Sequence, residues 1–303
     1  MSEMKNRVYG VVGIKSIMAN WNADFSGRCK ATSNGDVFGS DKAFKYPIKK
    51  MWEFNGEKIL YVKSYKKEKN EIQPKDLEER YEELFKEKID KNTPKEKIYS
   101  NLFSALDVKN FGATFAVKTC NISITGAVQI GQGYNKYKDI NIEVQDILSP
   151  FRDSKNEDAK NSTLGTKIVA DEAHYMYPFS VNPQNYDIYK EIYPNGYEKE
   201  DYEKFKKACL VAATAYNTNS KVGCENEFAL FVECKENSKL YLANLDQYIT
   251  FEKGEKLDKI DVTKLVEILK NKLEEIEKIE IYYNKYTTEL IGISEICTVK
   301  SLY

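Results

Sequence analysis

Apolar residues first gather in Arg7–Met18, where Val, Ile and Tyr predict a buried first strand. Asn20, Asn22, Gly27, Ser33, Asn34, Gly35 and Gly39 then break the pattern, so Asn20–Gly39 reads as a loop. Beyond it Ala43, Phe44, Ile48 and Met51 fall on one side of a helix with Ser40 or Asp41 as its N-cap. The other side carries Lys42, Lys45 and Lys49 within about 60° of one another, extended by Lys50. Pro47 removes one helical hydrogen bond, which predicts a kink or a restart between Lys45 and Lys49.

Lys58–Tyr65 predicts a second strand. Lys66–Lys97 is highly charged, with Leu77, Tyr81, Leu84 and Phe85 at helical spacing, and reads as a solvated helical insertion. Thr93-Pro94 opens another helix, with Ile98, Leu102, Phe103 and Leu106 on one side. Phe111–Ile130 alternates like strands. Gly131–Thr166 has little apolar periodicity and reads as a long excursion from the core, and Tyr175–Asn182 returns as a strand. Asp201–Thr218 is an amphipathic helix, with Tyr202, Phe205, Cys209, Ala212, Ala213 and Tyr216 inward. A polar turn through Gly223 precedes strands at Phe228–Glu233 and Leu240–Ala243, a helix over Lys264–Lys278 and a strand at Glu280–Tyr283. Frequent hairpins make this α+β rather than a doubly wound α/β arrangement, read as one domain over residues 1–303.

Charge changes the picture at the N-terminal side. The whole chain of 303 residues has a formal net charge of -1, so no global field attracts nucleic acid. Residues 1–66 nevertheless carry 12 basic and 6 acidic side chains. A basic region on a mildly acidic body points to a local anionic partner. Six cysteines without a Cys-x-x-Cys pair read as reduced cytosolic thiols, hence a cytoplasmic protein. No apolar run approaches the roughly 20 residues that span a bilayer, so no membrane partner is expected.

The candidate chemistry is sparse. His174 is the only histidine, lacks a signalled nucleophile or orienter, and reads as a surface or packing residue. Cysteine and histidine spacings for zinc are absent, as is a phosphate loop, and Gly10 and Gly13 sit inside a strand. Asp24, Asp36 and Asp41 stand among cations and read as solvated loop residues, so neither a metal nor another cofactor is expected. More weight falls on Arg28, Lys30, Lys42, Lys45, Lys49 and Lys50, fixed cations close together in the chain and suited to phosphates. Phe151 and Arg152, in Ser149-Pro-Phe-Arg152, offer a ring and a guanidinium that could stack on a base. Asn219, Ser220, Lys221 and Gly223 form a third polar, flexible element.

Read in order, the blocks Asn6–Asp24, Gly35–Lys50, Phe111–Phe115, Ile124–Gln129, Leu164–Lys167 and Val222–Phe228 resemble the CRISPR-associated Cas-seven (Cas7) family, type I-B branch, the Csh-two group. The resemblance runs from about residue 6 to residue 235. It implies a modified RNA-recognition-motif (ferredoxin-like) palm with a finger-like insertion at about residues 66–97 and a thumb near residues 133–165. It also implies a backbone subunit of Cascade, repeated along one CRISPR RNA beside other Cascade subunits, with target DNA met through the guide. The family's basic helix then falls on Lys42, Lys45, Lys49 and Lys50, and its preceding loop on Arg28 and Lys30. Phe151 and Arg152 fall on the thumb, and Asn219–Gly223 on the glycine-containing loop. Two other readings stay open. One is a metal-dependent ribonuclease of the same superfamily using Asp36 or Asp41; the other is a purely structural polymerising scaffold.

Overall fold

The computed structural model describes residues 2–151 and 163–303. The chain opens with β1 (Val8–Ala19), β2 (Phe38–Gly39) and α1 (Asp41–Phe54). A hairpin of β3 (Tyr65–Glu68) and β4 (Glu71–Pro74) precedes α2 (Leu77–Phe85), α3 (Lys95–Phe103) and α4 (Leu106–Phe111). A second hairpin, β5 (Ala113–Val117) and β6 (Cys120–Ile124), leads to β7 (Val128–Ile130), β8 (Gly133–Asn135) and β9 (Ile142–Leu148). The long β10 (Thr163–Val181) is followed by α5 (Lys199–Ala215) and β11 (Cys224–Cys234). The C-terminal part holds β12 (Thr250–Glu252), β13 (Asp258–Asp261), α6 (Thr263–Lys270), β14 (Ile276–Tyr283), β15 (Thr288–Ile291) and β16 (Cys297–Ser301).

Among the described residues nine strands form the central sheet in the order β16-β14-β11-β1-β10-β8-β2, with β7 and β9 also paired to β10. Its pairs are antiparallel, apart from the parallel β14–β16 pair. β1 lies in the middle and feeds two cores, because successive side chains of a strand point to opposite faces. Val8, Val12 and Ile14 meet α1 and α5, while Val11 faces the cluster containing Leu265, Val266 and Leu269 of α6 and Ile260 of the small sheet β12-β13-β15. Gly10 is the close-approach point: a Cβ there would lie 2.2 Å from the Leu230 carbonyl oxygen and 2.3 Å from the Phe179 ring. No helix among the described residues is long and apolar enough to cross a membrane.

α1 runs unbroken through Pro47, contrary to the expected division. Ser40 caps it by accepting a hydrogen bond from the Ala43 amide at 3.3 Å. Phe44, Ile48 and Trp52 repeat at i, i+4 and i+8, and all are buried. Phe44 stacks on Tyr177 with 5.0 Å between centroids, and Trp52 on Phe111 at 5.5 Å. Three such side chains contribute roughly 2 kcal/mol each, which outweighs the roughly 3 kcal/mol cost of an internal proline.

Other expectations change. Over Lys58–Ser64 the chain forms no strand: it bends at residues 60–62 with Ile59, Leu60 and Val62 buried, and β3 begins only at Tyr65. The amides of Leu60 and Tyr61 donate to the Asp107 carboxylate at 2.8 Å each, taking the partners a neighbouring strand would supply. Leu240–Ala243 likewise forms no strand. The Lys66–Lys97 insertion begins as the β3–β4 hairpin before turning helical. Gly131–Thr166 is not structureless: β9 pairs with the first half of β10, from Ala170↔Ile142 to Thr163↔Leu148. Every residue of β9 is exposed, so this ribbon lacks the buried face that makes strands legible in sequence. The expected helix over Lys264–Lys278 ends at Lys270, and β14 begins at Ile276.

Candidate nucleic-acid interface

Three segments meet where β1 ends. The Asn20 side-chain amide donates to the carbonyls of Gly27 and Ile168, both at 3.0 Å, and its backbone amide donates to Ser220 at 2.9 Å. One residue thus ties together the loop before α1, the β9–β10 ribbon and the loop after α5. Trp21, fully buried beside it, donates to the Tyr177 hydroxyl at 2.5 Å. The Gly223 carbonyl accepts from the Ile17 amide at 2.8 Å. Gly223 has φ +101, and a Cβ there would lie 2.2 Å from the Ile17 carbonyl oxygen, so this turn requires glycine.

The loop before α1 is held in shape. Asp24 accepts from the Ser26 amide and hydroxyl, both at 2.8 Å, and from the Arg28 amide at 3.0 Å. The side-chain bond from Ser26, with the amides and charge of Arg28 behind it, holds the Asp24 carboxyl below its ordinary value. The turn presents Arg28 and fully exposed Phe25. Lys30 is fixed through its backbone, which donates to Asn22 at 2.9 Å and accepts from Phe38 at 3.0 Å. Neither Arg28 nor Lys30 makes an ion pair among the described residues.

The four lysines of α1 do not form the open row expected of them. Lys42 does project, with its side chain 88% exposed and a loose contact of 3.5 Å to Asp41. Lys45 turns back onto Asp41 at 3.0 Å and lies over the Phe111 ring. Burial alone would push the Asp41 carboxyl up, but Lys45 and Lys42 outweigh it and hold it below its usual range. Lys49 is drawn further in, 3.9 Å from buried Asp107 and 3.5 Å from the Tyr61 carbonyl. Burial pushes its ammonium below the ordinary lysine range, and Asp107 opposes that push. Lys50 pairs with Glu53 at 2.5 Å on the half-buried flank.

The loop after α5 divides the same way. Asn219 and Ser220 are exposed. Lys221 folds inward, over the Trp21 ring at 4.9 Å, and donates to the carbonyls of Asn20, at 3.1 Å, and Trp21. Burial lowers its ammonium to about 8. On the ribbon Phe151 is exposed, its amide donating to the Ser149 hydroxyl at 3.1 Å; Arg152 lies outside the described residues. Arg28, Lys30, Lys42, Asn219 and Ser220 thus remain available around one end of the sheet. Lys45, Lys49 and Lys221 are committed to the fold.

Asp24, Asp36 and Asp41 do not gather: Asp24 closes a turn, Asp36 pairs with Thr32 across its loop, and Asp41 holds Lys45. His174 is not a surface residue; it is fully buried between Glu227, at 2.7 Å, and Glu172, at 3.0 Å. Phe25 is an exposed ring beside these cations that sequence reasoning did not single out, although a lone phenylalanine in a polar, cationic loop is a signal that could have found it.

The family model for CRISPR-associated protein Cas7 matches residues 6–281. No curated protein matches the chain. A solved "CRISPR RNA-guided surveillance complex" contains a chain similar to this one with a TM-score of 0.50 and 11% identity, covering 95% of this chain and 94% of that one. A second, "CRISPR RNA-guided surveillance complex, pre-nicking", gives a TM-score of 0.52 and 12% identity over 98% and 96% of the two chains. At such identities the likeness is one of fold.

Proposed function

The chain belongs to the CRISPR-associated Cas7 family, and from that premise we propose that it is a non-catalytic backbone subunit of a type I-B Cascade surveillance complex that binds CRISPR RNA. The observation that carries the reading is the convergence of the Asn20–Gly39 loop, the β9–β10 ribbon and the Asn219–Gly223 loop at one end of the central sheet, tied by Asn20. In this reading the central sheet with α1 and α5 is an RNA-recognition-motif-like palm, and the ribbon with Phe151 is the thumb. Arg28, Lys30 and Lys42 hold phosphates, and exposed rings lie against bases. Cations on phosphates position a strand without reading it, as a protein serving many guides must. Copies polymerise along the guide beside other Cascade subunits in the cytoplasm, and base pairing by the guide reads target DNA.

The test is purification of the assembled complex, followed by the absorbance ratio and length of the RNA it carries. RNA of defined length supports the reading. Nucleic-acid-free oligomers that resist nuclease support the purely structural scaffold instead. The ribonuclease alternative predicts regularly spaced cuts in complementary RNA with magnesium, lost in Asp36→Ala or Asp41→Ala. The present reading predicts no cuts.

A further inference from the structure

On the face of the central sheet turned from α1 and α5, a second set of charged side chains lies outside the nucleic-acid interface. Lys15 of β1, Glu172 and His174 of β10 and Glu227 of β11 meet Asp258 of β13 and Lys253, which follows β12. Asp258, His174 and Glu227 are buried, with Glu227 only 2% exposed. One ligand atom each from Glu172, His174 and Asp258 lies within 4.8 Å of the other two. Phe251 of β12 stacks on the imidazole, with 3.6 Å between centroids and 23° between planes, and fixes the ring.

The histidine is oriented as a ligating histidine must be. Its Nδ1 lies 2.7 Å from Glu227 Oε2, which directs Nε2 toward Glu172 Oε1 at 3.0 Å. A carboxylate behind the non-ligating nitrogen is the usual outer partner of a metal-bound imidazole. Glu227 holds the ring from the Nδ1 side, and its Oε1 is buried with no hydrogen-bond partner among the described residues. A cation already marks the position: the Lys253 ammonium sits 2.6 Å from Glu172 Oε1 and 3.2 Å from Asp258 Oδ1. Its side chain is 45% exposed, so it can leave for solvent, while Lys15 stays on the other Asp258 oxygen at 3.3 Å.

We propose that Glu172, His174 and Asp258 form a binding site for a divalent cation of the Zn2+ or Mn2+ class, which pins the small sheet β12-β13-β15 to the central sheet. One imidazole nitrogen and two carboxylate oxygens suit such an ion better than Mg2+, which favours oxygen ligands and keeps its water. A divalent ion takes the position of the Lys253 ammonium, and Nε2 must be free of a proton to ligate it. The ammonium goes to solvent and the proton to buffer. The role is structural, since Asp258 and the Glu172–His174 pair come from different sheets.

Calorimetric titration of the full chain with ZnCl2, MnCl2 and MgCl2, with melting curves alongside, tests the site. The expected result is saturable binding of one Zn2+ or Mn2+ per chain with a rise in Tm, and a much weaker response to Mg2+. Lys253→Met clears the cation position without touching a ligand and should tighten binding at least tenfold; Asp258→Asn should weaken it at least tenfold. No saturable binding in either the natural chain or Lys253→Met overturns the proposal. So does binding unchanged in Asp258→Asn, which places the ion elsewhere, for example on cysteines. Should Asp258→Asn fail to fold, Lys253→Met decides alone.

Discussion

Lys42 and Lys49 lie two turns apart on one face of one helix, and they do different things. The first stands in solvent with one loose acidic contact among the described residues, open to a phosphate. The second is sealed against Asp107 and the Tyr61 carbonyl, and serves the core. The same division separates Arg28, on an open turn, from Lys221, folded over Trp21. A cation near the proposed RNA interface is therefore left open to a ligand or serves as a strut according to whether the fold supplies it with an internal partner. Struts should cost stability when removed, whereas open cations should cost RNA affinity.

The largest effect is expected at the most buried strut. Lys49→Met leaves Asp107 without its cation and should destabilise the fold by about 3 kcal/mol, read as a lower midpoint in chemical denaturation. A loss under 0.5 kcal/mol would remove Lys49 from the strut class. Gly223→Ala comes next, at about 2 kcal/mol, because the turn that seats Lys221 cannot take a Cβ. Protection of the Ile17 amide from hydrogen exchange should fall with it.

Glu280 is an intermediate case, a buried carboxylate held by Lys206 and, at 2.7 Å, by Lys300. Burial would raise it, but these lysines, with Lys278, bring it from 4.5 down to about 2. The unfolded chain binds the extra proton between those values, so the contribution is full above pH 4.5 and lost as pH falls through about 2. Two of the three lysines are nearly half exposed. Glu280→Gln should therefore cost a discounted ~1–2 kcal/mol at neutral pH. The gap between variant and natural chain should close across that acid window; a pH-independent gap would place the effect in packing. The smallest stability change belongs to Arg28→Ala and Lys42→Ala, each within about 0.5 kcal/mol of the natural chain.

Much of this was legible in the sequence. The β1 run, the Ser40 cap, the apolar stripe of α1 and the turn glycine at Gly223 are local signals. The fates of the lysines were not, because their partners are distant in the chain: Asp107 lies 58 residues beyond Lys49, and Trp21 lies 200 residues before Lys221. The Lys58–Tyr65 segment reads as a strand because its apolar residues Ile59, Leu60 and Val62 are core residues; the chain bends there instead, and a side chain, rather than a neighbouring strand, satisfies the Leu60 and Tyr61 amides. The β9 ribbon was hidden for the opposite reason, since it buries no face. His174 carried no motif, and its carboxylate partners come together only when β10, β11 and β13 assemble.

The salt dependence of RNA binding tests the central claim most directly. Binding of one CRISPR RNA is measured across a salt series for the natural chain, for Arg28→Ala/Lys42→Ala and for Lys45→Ala/Lys49→Ala, each checked for folding. Removing two cations that each neutralise a phosphate should flatten the slope of log affinity against log salt by roughly 1.4, and equally for unrelated RNA sequences. The account predicts that flattening for the open pair, and an unchanged slope in the folded fraction of the sealed pair. The reverse pattern, or equal slopes in all three proteins, would contradict it.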